Sequence, residues 1–193
     1  MKKLVFINAC MRREDSRNLR LASPLIDELS KRYSITEIDL TDSDLMPVTS
    51  RLYNGRKENG LTETDMKYGR LVAEADRIVV AAPFWDMGIP SVLKTFIEHI
   101  SAPDITFCNN SDGSTRGNCR AEKMLYVTTR GMEIETGSPL EQGSSYLKAL
   151  CWLWGIGGVE TVAVRGTDVN GVDEVDKRIA LAVRRGLEIC KEF

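Results

Sequence analysis

Histidine is almost missing from this chain: His99 is the only one among 193 residues. Cysteine offers it no company. Cys10, Cys108, Cys119, Cys151 and Cys190 make an odd count with no CxxC pair, which suits free thiols in a reducing compartment better than a disulfide framework or a zinc site. No metal is therefore expected. No apolar run approaches the roughly 20 residues that span a bilayer, so no membrane insertion is expected. The basic-then-apolar start, Met1 to Asn8, is only as long as a strand and shorter than a signal-peptide core, which points to the cytoplasm. Neither sign of charge dominates: 26 Lys and Arg against 28 Asp and Glu leave a net −2, which argues against a nucleic-acid footprint. Repeats and linkers are lacking too, and the length suits one domain over residues 1–193.

What is present is organised around Arg77 to Ile100. Ile78 to Ala82 is an unbroken apolar run led by β-branched residues and too short for an ordinary helix. Such a run reads as a strand buried on both faces, the mark of a parallel sheet covered by helices. Pro83 stops it, and Phe84, Trp85, Asp86, Met87 and Gly88 form a loop. Pro90 and Ser91 then open a helix whose apolar positions, Val92, Leu93, Phe96, Ile97 and Ile100, recur at three and four residues.

Further strands are predicted at Lys3–Ala9, at Tyr33–Leu40 near a sheet edge, at Lys123–Thr129 and at Val159–Val164. Helices are predicted from Ser16 (Leu19, Ala22, Leu25, Ile26 and Leu29 inward), from Thr62, over Tyr146–Trp154 and over Asp173–Glu192. Pro24 should bend the first of these helices or delay its start. Residues Thr41–Gly60 and Ala102–Glu122 read as irregular inserts, and a polar Gly/Ser-rich segment runs on to Ser145. Five strands alternating with helices give an α/β doubly wound five-stranded parallel sheet, order 2-1-3-4-5, with helices on both faces.

In such a sheet ligands sit outside the carboxyl ends of the strands, where three loops converge. In the first, Cys10 to Asn18, a helix start, the Ser16 hydroxyl, Asn18 and Arg12, Arg13 and Arg17 can hold a phosphate, although the loop has no glycine and is not a Walker loop. The second places Pro83, Phe84, Trp85, Asp86 and Met87 where a large flat ring could be covered and its polar edge met. The third, Thr129 to Met132, offers donors at Thr129 and Arg130 and close backbone approach at Gly131. A flavin fits these three demands together. Hydride transfer through a flavin needs no protein acid or base in its central step, so no catalytic side chain is assigned and His99 is expected to be structural, near the carbonyl end of its helix. One rival is a thiolate phosphatase built on Cys10. It is disfavoured because six residues separate Cys10 from Arg17 where that loop type has five, and because no Asp-Pro general-acid pair follows.

The strand-1 loop ending in Ser16-Arg17-Asn18, the run Pro83-Phe84-Trp85-Asp86-Met87-Gly88-Ile89-Pro90 with Leu93-Lys94, the Ile105-Thr106-Phe107 and Thr129-Arg130-Gly131 segments, and Tyr146-Leu147 before Gly155-Ile156-Gly157 carry a resemblance. Almost over its full length the chain resembles the flavodoxin-fold NAD(P)H:quinone oxidoreductases, most closely their FMN-dependent azoreductase branch. The resemblance implies FMN as cofactor, NADH or NADPH as co-substrate, ping-pong transfer to a quinone or azo compound, and a homodimer with both sites at the interface. It puts the FMN phosphate on Cys10, Ser16, Arg17 and Asn18. It puts the ring on Pro83, Phe84, Trp85, Asp86 and Met87 and on Thr129, Arg130, Gly131 and Met132. Three positions depart from the family pattern: Cys10 replaces a serine, Asp86 an asparagine and Met132 a glycine. A flavodoxin-type electron carrier without NAD(P)H activity is the alternative, but such carriers tend to be strongly acidic for steering, which −2 does not match.

Overall fold

The computed structural model describes residues 1–193. Five parallel strands form its sheet: β1 (Lys2–Asn8), β2 (Tyr33–Asp39), β3 (Arg77–Ala81), β6 (Lys123–Thr129) and β7 (Val159–Val164). Their order is β2-β1-β3-β6-β7, which is 2-1-3-4-5 once the separate hairpin of β4 (Phe107–Asn109) and β5 (Thr115–Gly117) is set aside. The chain reverses direction across the sheet between β1 and β3, so the switch point lies there.

Strand parity divides the core in two. Val5 and Ile7, Ile78 and Val80, and Met124 and Tyr126 point to one face. There they meet α3 (Glu63–Ala73), α4 (Ser91–Ile100) and α5 (Gln142–Trp154) through Val72, Phe96 and Leu147. Leu4 and Phe6, Val79 and Ala81, and Leu125 and Val127 point to the other. That face is covered by α1 (Arg17–Ser30) and α6 (Val172–Glu192) through Leu21, Leu25 and Ile179. All five residues of β3 are buried, as the apolar run requires, and β2 lies at the edge where its alternation suggested.

Three expectations are corrected and a fourth is narrowed. The segment Thr41–Gly60 is not wholly irregular: it contains α2 (Ser50–Asn59), capped by the Thr49 hydroxyl. None of its residues is buried, so no apolar period announces it. Ala102–Glu122 holds the β4–β5 hairpin, whose strands are only three residues each. The polar segment before Tyr146 ends earlier, because Glu141 caps α5 and the helix begins at Gln142. And α1 starts at Arg17 and runs across Pro24 without delay, its Ser16 cap accepting from Leu19 N–H.

His99 is buried, and its anchor is not the helix terminus. Its Nδ1 lies 2.6 Å from Asp65 Oδ1 and its Nε2 2.8 Å from the Met46 carbonyl. Arg56 of α2 reaches the same carboxylate, so one knot ties the first insert to α3 and α4. Burial pushes the Asp65 carboxyl up, but the His99 and Thr62 hydrogen bonds and the Arg56 charge carry it below its ordinary value. No helix is long and apolar enough to cross a membrane.

Candidate active site

The loops after β1, β3 and β6 meet above the switch point. Arg12, Ser16, Arg17, Asn18, Pro83, Thr129 and Gly131 line one polar cleft of about 80 Å³, together with Thr167 and Asp168 from the loop after β7. The first loop reaches it through a 3-10 turn, Arg13–Asp15, that delivers Ser16 to the cap of α1. The Ser16 oxygen accepts from Leu19 N–H, and its hydroxyl borders both the cleft and the Cys10 thiol. The Ser16 carbonyl takes the Arg20 N–H, so the N–H groups of Arg17 and Asn18 have no intrahelical partner and face outward at the positive helix end.

Three of the residues read as phosphate ligands have side chains turned elsewhere. Cys10 does not line the cleft: its thiol is buried and directed at the Ala81 carbonyl, 3.5 Å away. Burial pushes that thiol up to about 11, against hydrogen bonding from Ser16 and Asn18. A phosphatase nucleophile must be open to substrate in a positive setting, and the burial of this thiol counts against that rival. Asn18 is buried and turned inward, its amide donating to the Val127 carbonyl at 2.9 Å, so the donor it has left for the cleft is its backbone N–H. Arg13 leaves the cleft to pair with Asp42.

The second loop closes as a tight turn. Trp85 N–H donates to the Gly88 carbonyl (3.2 Å) and Gly88 N–H returns the bond to Trp85 (2.8 Å). Asp86 and Met87, between them, have φ of 48° and 66°. Both are in the left-handed region, at a cost for a residue with a Cβ. The N–H groups of Asp86 and Met87 at the tip make no bond to protein, and neither do those of Gly131 and Met132 in the third loop. Trp85 and Met132 are about half exposed, whereas Phe84 is turned down and buried.

The Arg130 side chain turns below the cleft. Its guanidinium is buried, one N–H donates to the Ile134 carbonyl, and its backbone N–H is held by Val164, so it presents no donor at the crest. Gly131 lies close beneath the fourth loop: a Cβ there would sit 2.2 Å from the Asp168 carboxylate, the end of an exposed side chain. Thr167 and Asp168 were missed in the sequence, although the topology that groups the first three loops also brings the loop after β7 alongside them. Asp168 pairs with Arg17 at 2.7 Å.

The donor set fits an FMN-shaped ligand. Unpaired N–H groups and a hydroxyl gather at a helix N-terminus for a phosphate, and four further N–H groups lie at two loops beside exposed Trp85 and Met132 for a flat ring with a polar edge.

A family model described as the flavodoxin-like fold matches residues 2–188. An FMN-dependent NADH:quinone oxidoreductase of Clostridium perfringens is 27% identical over 201 residues, covering all of both chains. Another of that name, from Clostridium beijerinckii, is 29% identical over 201 residues with the same coverage. Among solved structures, an azoreductase from Bacillus anthracis superposes with a TM-score of 0.85 at 23% identity, covering all of both chains.

Proposed function

The chain belongs to the family of flavodoxin-like fold proteins, and from that premise we propose that it is an FMN-dependent oxidoreductase passing a hydride from NADH to a quinone or azo acceptor. The observation that carries this reading is the gathering of unpaired N–H groups from three loops at the carboxyl edge of the sheet. The bound flavin would accept and release the hydride at N5, so NADH and acceptor would use one pocket in turn, in ping-pong order.

In this reading Ser16, Arg17 and the Asn18 backbone hold the phosphate, and Arg12 adds charge at the rim. The turn from Trp85 to Gly88 presents the Asp86 and Met87 N–H groups to the polar edge, and Gly131 and Met132 present theirs from the other side. Trp85 and Met132 cover the ring and exclude water; Pro83 and Thr129 shape the wall between ring and phosphate. Cys10, Phe84 and Arg130 act from below.

A homodimer is part of the proposal. Between α4 and α5 lies a mostly apolar groove of about 390 Å³, flanked by Ile97, Tyr146, Leu150 and Leu153, with Trp152 three-quarters exposed on it. The α5 helix that walls it also meets the ring loop, Gln142 N–H at its start donating to the Met87 carbonyl. We place the protein in the cytoplasm, where its five unpaired cysteines stay reduced.

The test is steady-state oxidation of NADH and of NADPH by the FMN-loaded chain, with menadione and with an azo dye as acceptors. Parallel double-reciprocal lines and a preference for NADH are expected. Tight FMN binding without NAD(P)H oxidation would instead mark a one-electron carrier.

A further inference from the structure

Below the crest, β6 parity sends Tyr126, Thr128 and Arg130 toward α5. The Tyr126 hydroxyl, the Thr128 hydroxyl and the Arg130 Nε and Nη2 are all buried without a partner. Of its five N–H groups the guanidinium satisfies one, on Ile134, and its nearest carboxylate oxygen, on Glu141, is 3.7 Å from Nη2. A buried charge so incompletely paired is costly, and an apolar pair of the same volume would commonly be as stable or more so.

The pair borders the ring loop at both ends, directly at Phe84 and through the neighbouring Gln142 at Met87. The Arg130 guanidinium lies 5.6 Å from the centre of the Phe84 ring, and Phe84 N–H donates to the Thr129 carbonyl at 3.1 Å. At the other end, Met87 O accepts from Gln142, the residue after Glu141. Glu141 is fixed in turn: its carboxylate accepts from Ser144 N–H (2.8 Å), Gly137 N–H (3.2 Å) and the Ser144 hydroxyl. A Cβ on Gly143 would lie 3.0 Å from that carboxylate, so the cap leaves little room to shift. Two residues of positive φ persist in a turn only where the surroundings over-determine it.

We propose that Arg130 and Glu141 are positioning residues: as a buried pair they hold the Trp85–Gly88 turn from beneath, so that the Asp86 and Met87 N–H groups stand where the ring edge needs them. This rests on the FMN reading for its purpose, but not for its structural content.

The decisive variant is Arg130→Met with Glu141→Gln. Arg130→Met alone strands a buried carboxylate and is expected to lose much of the stability, whereas the double variant removes both charges and folds. Hydrogen exchange of the apoprotein is read over residues 84–92. The turn amides should exchange roughly tenfold faster in the double variant, with the amides of β3 and β6 unchanged. FMN and riboflavin affinities should fall by the same factor, roughly fivefold or more, because the ring is affected and the phosphate is not. Phe84→Leu, which keeps the ion pair and removes the ring above it, should reproduce the faster turn exchange and guards against misfolding of the double variant. Turn exchange within twofold of wild type in both variants would overturn the proposal. Faster turn exchange in a protein that takes up no flavin at all would sink the FMN reading and leave the positioning role standing.

Discussion

Asp168 should weaken cofactor binding, and replacing it with asparagine should strengthen it. Its carboxylate lies in the cleft assigned to the phosphate, 2.7 Å from Arg17, which is the cation that phosphate would use. An anion that pairs with the same guanidinium lies about 5 Å from the carboxylate, two hydrogen-bond lengths through Arg17. At about 5 Å in a water-like dielectric, a carboxylate and a phosphate dianion repel by about 1.7 kcal/mol before salt screening. The Arg17–Asp168 pair is exposed, so breaking it adds no more than about 1 kcal/mol. After screening the sum is about 1–2 kcal/mol, so Asp168→Asn should bind FMN roughly five- to thirtyfold more tightly. The assay is quenching of flavin fluorescence on titration with apoprotein, at low and high salt. Riboflavin is the control: lacking phosphate, it should bind both proteins alike, and the FMN gain should shrink with salt. Weaker FMN binding by the variant, or an equal gain for riboflavin, would refute the reasoning, because Asp168 would then be orienting Arg17 or shaping the ring pocket.

Three further outcomes follow from the same geometry. Asp86→Asn keeps a residue that tolerates φ of 48° and removes a negative charge from the turn tip, so the bound flavin's midpoint potential should rise, by about 30 mV for each 1.4 kcal/mol of charge interaction removed; a fall or no change means the side chain is aimed elsewhere. Gly117→Ala would put a Cβ 2.0 Å from the Gly155 backbone nitrogen, which cannot yield, so thermal unfolding should shift down by the equivalent of about 3 kcal/mol, whereas Gly55→Ala, with nothing within 4 Å, should be neutral or stabilising. Burial raises the Cys10 and Cys190 thiols to about 11 and those of Cys119 and Cys151 to about 12. A pKa raised by folding means stability is full below the unfolded thiol value of about 8.5 and is lost as pH climbs toward the folded values, so denaturant midpoints should fall from about pH 9 upward and Cys10→Ala should lessen that fall.

The parallel sheet was legible because β3 and β6 are apolar on both faces, a pattern that other elements of that length rarely show. The α2 helix was not, since a helix with no buried residue carries no period to read. At the site, the Pro-aromatic loop and the Ser16 helix start were visible as residue types at loop positions. The roles of Phe84 and Arg130 were not, because each depends on which way a side chain turns. For Arg130 a signal existed: it is two and four residues beyond Thr128 and Tyr126, on the strand face that packs against α5. Asp168 was hidden for another reason, its distance in sequence from the three loops it joins.

The most direct measurement is the visible spectrum of the purified chain after incubation with FMN and desalting, taken under argon before and after NADH. The account predicts a retained flavin band that bleaches on NADH and returns when a quinone is added. Colourless protein, or a retained band that neither NADH nor NADPH bleaches, would contradict it.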